Sequence, residues 1–186
     1  MKSVAEPSKL TDPNEPDWER IAADHGPAVW ATALRILKHR EDAQDCYQQT
    51  FLDAFRSASR GPATNWIALL LTIAARRAID RLRERIAARE RRKEAVASAA
   101  FAAPFAATGD HVRQVELMDW LRAGLAGLPE KQAVAFWLRS VEDLSYAEIA
   151  AELEIDANQV GVLIHRARAS LKRRFADDQP AGRKVR

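Results

Sequence analysis

Two helix-start devices stand close together near the end of the chain, and they leave that stretch little freedom in how it folds. In "SYAE", Ser145 is followed three residues on by Glu148, and in "DANQ", Asp156 is followed at the same spacing by Gln159. Each is a capping box: the first side chain accepts from the backbone of the fourth residue, whose own side chain reaches back. One short helix, Tyr146 to Leu153, fits between them, with Glu154-Ile155-Asp156 as the turn. The second helix ends in positive charge, since residues 165–174 hold five basic groups (Arg166, Arg168, Lys172, Arg173, Arg174) and no acid. Two capped helices joined by a tight turn, the second one basic, make a helix-turn-helix.

The remainder also reads as helix. Trp18 to Lys38 carries apolar residues at helical spacing, with an expected break or kink at Gly26-Pro27, where Pro27 would start a second piece. In "EDAQDCYQQTFLDAFRSA", Asp42 is the expected cap and Ala43, Cys46, Tyr47, Thr50, Phe51, Ala54 and Phe55 form one apolar stripe. Asp45, Gln48, Gln49, Leu52 and Arg56 fall outside it. "SRGPATN" is a loop. A long helix follows from about Trp66 to Glu94, with Ile67, Leu71, Ala74, Ala78, Leu82 and Ile86 at three- and four-residue steps. Its later part is dense in arginine: residues 76–93 hold nine basic groups against three acids. Two basic patches suit a polyanion contacted at two places.

These elements predict an all-α protein of two small helical domains joined by a flexible linker, the second a helix-turn-helix. The expected boundaries are a flexible tail over 1–17, a first domain over 18–94, a linker over 95–111, a second domain over 112–175 and a basic tail over 176–186. The linker is Ala-rich and uncharged until Asp110, Pro104 breaks any helix through it, and Phe101 and Phe105 are unusual for a free linker. Pro129 suits a first helical turn. A soft connection makes the relative orientation of the domains depend on the bound partner.

Other function classes find little support. A single cysteine, Cys46, allows no internal disulfide and falls among apolar helix positions, which points to a buried, unreactive thiol in a cytoplasmic protein. The four histidines lack ligand spacing, so no metal or cofactor is expected. The polar, proline-rich N-terminus is no signal peptide. "NWIALLLTIAA" is about half the length of a membrane helix. Neither a nucleophile–base pair nor a phosphate-cradling glycine loop is visible, so no enzyme is expected.

Three motifs carry a family resemblance. "DAQDCYQQTFLDAF" resembles the signature of sigma factors of the extracytoplasmic-function (ECF) group, subunits of bacterial RNA polymerase, and "IAARRAIDRLR" resembles the helix that follows it. "LPEKQAVAFWLRSVEDLSYAEIAAELEIDANQVGVLIHRARASLKRRF" resembles the second domain of that family. The likeness covers roughly residues 18–94 and 112–175. It implies a dissociable initiation subunit. The first domain would grip the clamp coiled coil of the largest polymerase subunit and melt the −10 element, the second would bind the −35 element, and the linker would thread through the enzyme. A cognate anti-sigma protein is the usual partner.

The residues fit those roles. Asp42, Asp45, Gln48, Gln49 and Leu52 are the candidate polymerase contacts, a polar face with one apolar group. Arg76, Arg77, Arg81 and Asn65, with the loop 59–65, are the candidates for the single-stranded −10 element. In the recognition helix, Val160, Leu163, Ile164, Ala167 and Leu171 face the core, and Asn158, Val162, His165, Arg166, Ala169 and Arg173 face outward. Asn158, Gln159, Val162 and His165 are the candidates at the base edges. Arg166, Arg168, Lys172 and Arg173 are candidate phosphate contacts. An outward valine suits a thymine methyl, and Gln159 or Asn158 an adenine.

The chain departs from the family at several of these places. Arg76 or Arg77 stands where the family often has asparagine, and Leu69 where it often has tryptophan, with Trp66 three residues earlier. Gln49 replaces a usual glutamate. Glu154 replaces the turn glycine, at a cost on the order of 1 kcal/mol if its backbone is left-handed. Across Gln159, Gly161, Val162 and Leu163 the family tends to carry threonine, lysine, serine and arginine. Val162 therefore admits a rival reading, as part of a protein interface. The chain would then be a sigma-like adaptor that binds polymerase or an anti-sigma without promoter-specific initiation. A plain dimeric helix-turn-helix repressor is a third reading, disfavoured by the first domain.

Overall fold

The computed structural model describes residues 16–59, 61, 63–96 and 110–178. Most of the expected tails (1–15 and 179–186) and of the expected linker (97–109), with Phe101 and Phe105, lies outside the described residues. Those described form seven helices and no strand: α1 (Trp18–Leu37), α2 (Arg40–Ala58), α3 (Trp66–Val96), α4 (Asp110–Ala126), α5 (Glu130–Ser140), α6 (Tyr146–Leu153) and α7 (Ala157–Asp178). α3 runs slightly past the expected Glu94, and α4 starts slightly before Val112.

α1 begins at Asp17, whose carboxylate accepts from Arg20 N at 3.0 Å. The expected break at Gly26-Pro27 does not occur: one helix runs through Pro27. Proline removes the donor that the Ala23 carbonyl needs, but Ala23 and Pro27 are both exposed, so that carbonyl is not left in a dry interior. Gly26 has a separate reason. A Cβ there would lie 2.7 Å from the Tyr47 hydroxyl of α2. Lys38 ends the helix in a left-handed conformation (φ 51°), its N–H donating to Leu34 O at 2.9 Å.

The cap of α2 is His39, not Asp42: the Asp42 N–H donates to His39 Nδ1 at 3.3 Å. Asp42 sits inside the first turn instead, because its carboxylate is taken by arginines of α3. α3 starts at Asn65, whose side-chain oxygen accepts from Ala68 N at 3.2 Å. Pro129 precedes the first turn of α5 rather than lying in it, with extended backbone (φ −54°, ψ 143°).

Both expected capping boxes are present. Ser145 Oγ accepts from Glu148 N at 3.2 Å while Glu148 Oε2 accepts from Ser145 N at 2.8 Å. Gln159 N donates to Asp156 Oδ1 at 2.8 Å, and Gln159 Oε1 accepts from Asp156 N at 3.3 Å. Between them Glu154 adopts the left-handed conformation (φ 52°, ψ 50°) that turns α6 into α7.

α3 is the spine of the molecule. Ile21, Val29, Ala54, Leu70 and Ala74 form one apolar cluster, closed by Trp18, Tyr47, Phe51 and Trp66. A larger cluster runs from Ile36, Leu37 and Cys46 through Leu71, Ala78, Ile79 and Leu82 to Leu125, Val134, Trp137, Ile149, Val160 and Ile164. α1 to α3 and α4 to α7 thus pack as two bundles that share one core along α3. The sequence predicts two halves tied only by a soft linker; among the described residues they are in direct contact.

Candidate nucleic-acid interface

The amphipathic spacing of α7 divides it cleanly. Val160, Ile164, Ala167 and Leu171 are buried and Leu163 is partly so. Asn158, Gln159, Val162, His165, Arg166, Arg168, Lys172 and Arg173 are all exposed. Val162 keeps 47% of its surface open, although nothing about packing forbids a polar residue there. Gly161 lies beside the Tyr146 ring of α6, which would be 3.5 Å from a Cβ at that position. Tyr146 is itself 40% exposed, with the Arg139 guanidinium 6.0 Å from its ring centroid. Tyr146 thus lies beside the recognition helix, a contact that its place at the start of α6 does not reveal in the sequence.

The second basic patch is less free than its composition suggests. Arg77 is paired with Asp53 of α2. Arg81 reaches Asp42 at 3.0 Å and Glu84 at 3.2 Å, and Arg85 reaches Asp42 at 3.2 Å. The facing carboxylates, Asp42 foremost, hold the Arg81 guanidinium still more firmly protonated than usual. Arg76 pairs with Glu130 at the start of α5 (2.9 Å). Asn65 Nδ2 donates to Glu148 Oε1 of α6 (2.9 Å). All four candidates lie along α3 and its cap, and each is engaged within the chain.

On α2, Asp45, Gln48, Gln49 and Leu52 are exposed on one face, Leu52 at 48%. Asp42 departs from that face. It is 9% exposed and ties α2 to α3 through the arginines just named. Asp45, Gln48, Gln49, Arg77 and Arg81 line a shallow groove with Cys46 at its floor. The Cys46 thiol contacts the Ala74 carbonyl oxygen at 3.6 Å, and burial pushes its pKa up to about 11. A thiol so held is a poor nucleophile. Among the described residues no group of three or more potential ligands is placed to hold a metal ion, and no helix is long and apolar enough to cross a membrane.

Residues 21–87 match the family described as Sigma-70 region 2, and residues 118–171 that described as Sigma-70, region 4. The ECF RNA polymerase sigma factor SigE of Mycolicibacterium smegmatis is 30% identical over 161 residues, 84% of this chain but only 61% of that protein's length. The RNA polymerase sigma factor CarQ of Myxococcus xanthus is 30% identical over 165 residues, 88% of this chain and 92% of its own. Among solved structures, the sigma factor RpoE of Bartonella quintana, in complex with the anti-sigma factor NepR, aligns with a TM-score of 0.52 at 22% identity, covering 88% of this chain and 99% of that one. That likeness speaks for the fold. With both sigma regions in order and relatives of that name matched along most of its length, the chain belongs to the ECF group of sigma-70 family RNA polymerase sigma factors.

Proposed function

We propose that α7 reads the −35 element, that α3 and its cap meet the −10 strand, and that the outer face of α2 docks on core polymerase. Sigma factors direct promoter-specific initiation, and this chain carries both sigma regions. The observation that carries the −35 reading is the division of α7: one face buried, the other open and rich in amide and basic groups. Exposed Arg166, Arg168, Lys172 and Arg173 suit phosphates, which set register, while Asn158, Gln159, Val162 and His165 stand where base edges would lie.

The docking face is Asp45, Gln48, Gln49 and Leu52; Asp42 supports it from beneath. A polar surface with one apolar anchor suits a reversible subunit. An anti-sigma partner is proposed by analogy with the Bartonella protein. Regions 18–94 and 112–175 would be the working domains. The chain would act in the cytoplasm without catalysis of its own, since chemistry belongs to the polymerase it directs.

The test is transcription in vitro with core RNA polymerase and fragmented genomic DNA of the host, followed by sequencing of RNA 5′ ends. Discrete starts sharing two upstream boxes are expected. Binding to core without specific starts would favour the adaptor reading instead. For the phosphate contacts, Arg166→Ala with Lys172→Ala should flatten the dependence of affinity on salt by about two ions' worth of slope.

A further inference from the structure

The Gly26-Pro27 step inside α1 opens a groove between α1 and α2. Ala22, Ala23, Gly26, Pro27, Trp30 and Tyr47 line this open apolar hollow of about 400 Å³. The Trp30 and Tyr47 rings meet edge to face in its wall, their centroids 6.3 Å apart. Gly26 brings no side chain to fill the space before the Tyr47 hydroxyl. None of these residues belongs to the faces assigned above to DNA or to polymerase.

Three polar groups border the apolar surface. Pro27 withholds the donor that the Ala23 carbonyl takes in an unbroken helix. The Tyr47 hydroxyl makes no hydrogen bond among the described residues. Arg40 makes no ion pair among them, and its guanidinium lies 6.0 Å from the Trp30 ring centroid. An aromatic-lined groove with a main-chain acceptor, a hydroxyl and a cation suits an extended, proline-bearing segment with an acid beside the proline. Such a segment has no internal hydrogen bonds, so its N–H and C=O groups are available to the groove.

The chain carries a segment of this kind. Residues 1–15 precede α1 and include Glu6-Pro7, with Val4 and Leu10 on either side. Asp12-Pro13-Asn14-Glu15 has the residue types of a reverse turn, with proline second. The groove lies about 13 Å along α1 from Trp18, at a rise of about 1.5 Å per residue. The run from Pro7 to Asp17 spans up to roughly 33 Å when extended, which covers a turn and the return along α1. The tether sets an effective concentration on the order of millimolar, so even a contact of millimolar affinity is occupied about half the time.

We propose that the chain's own N-terminal segment folds back along α1 and seats Pro7 against Trp30 and Tyr47, with Glu6 facing Arg40. The groove is then an internal docking site for a proline-bearing strand.

Paramagnetic relaxation, measured by NMR on the full isotope-labelled chain, tests this. A nitroxide on Ser3→Cys marks the segment alone, because Cys46 is buried. The amide signals of Ala22, Ala23 and Gly26 and the Trp30 indole N–H should lose about half their intensity or more, as the occupancy above implies. Amides of α6 should keep theirs. Pro7→Gly in the nitroxide-bearing chain should restore the lost intensity. Glu6→Lys should weaken the effect, and Arg40→Glu added to it should bring the effect back. Undiminished signals around the groove overturn the proposal, and so does broadening that survives Pro7→Gly. Broadening lost with Pro7→Gly but untouched by Glu6→Lys upholds the proline seat and overturns the Arg40 contact. In a mixture where one copy carries the nitroxide and the other the isotope, broadening at the groove would make a second copy's segment the occupant and overturn the internal site.

Discussion

Asn65 and Glu148 join the start of α3 to the start of α6. The Asn65 side-chain oxygen accepts from Ala68 N while its amide nitrogen donates to Glu148 Oε1 at 2.9 Å. Glu148 in turn accepts from the Ser145 backbone and hydroxyl through its other oxygen. One hydrogen-bonded chain therefore links the cap of a first-bundle helix to the capping box of the helix-turn-helix.

Substitutions at position 65 should separate the two bonds. Asn65→Ala loses the cap and the inter-bundle bond, about 2 kcal/mol together. Asn65→Ser keeps a capping oxygen at the helix N-terminus and loses only the amide donor to Glu148, so it should fall between alanine and wild type. Urea denaturation of the three proteins measures this. Equal losses for alanine and serine would show that the cap contributes nothing.

Glu148 should also leave a signature in acid. The Ser145 hydroxyl, and then the Ser145 backbone, hold its carboxyl below the ordinary value of 4.5. A carboxyl depressed in the folded state stabilises the protein above the unfolded value and loses that contribution as pH falls through the lower folded one. Denaturation midpoints followed from neutral pH to below 4.5 should therefore decline less steeply in Glu148→Gln than in wild type. Parallel curves would rule out the contribution.

What was legible in the sequence was whatever rests on local spacing. The two capping boxes, the bounds of α6, the left-handed Glu154 and the buried stripe of α7 follow from contacts three or four residues apart. Where expectation and structure part, a distant residue decides. Pro27 stays inside α1 on an exposed side of the helix, and Gly26 beside it makes room for Tyr47 of α2. Asp42 is drawn inward by Arg81 and Arg85, which lie on another helix. The candidate −10 residues are individually recognisable as basic or capping groups, yet their engagement with Asp53, Glu130 and Glu148 has no local sign. Arg83 lies in the basic run read as suiting a polyanion, and of the burial of Arg122 only its apolar neighbours in "DWLRAGL" give a hint.

Two glycines inside helices should respond oppositely to alanine. At Gly161 a Cβ meets only Tyr146 Cε2, at an ordinary 3.5 Å, so Gly161→Ala should stabilise by about 1 kcal/mol through helix propensity. At Gly26 the same gain is offset by the Tyr47 hydroxyl at 2.7 Å. Tyr47 is wedged between the rings of Phe51 and Trp30, 4.9 and 6.3 Å away, and yields poorly. Gly26→Ala should therefore be neutral or destabilising by about 1 kcal/mol. Chemical denaturation of both variants checks the pair; an equal gain at both sites would mean that Tyr47 moves freely.

Val162 offers a test of base reading with little effect on folding. It is 47% exposed, so Val162→Ala should leave stability within about 0.5 kcal/mol of wild type. Gln159 is less clean, because its side chain also closes the capping box of α7 and its loss loosens the helix start. If Val162 packs on a thymine methyl, replacing that thymine by deoxyuridine should weaken wild-type binding by about 0.8 kcal/mol, ~fourfold. The Val162→Ala variant should then be indifferent to the same change, so that the two losses do not add. Competition binding on the −35 box found by 5′-end mapping supplies the four affinities of this cycle. Additive losses would remove Val162 from the DNA interface and leave its exposed side chain to a protein partner.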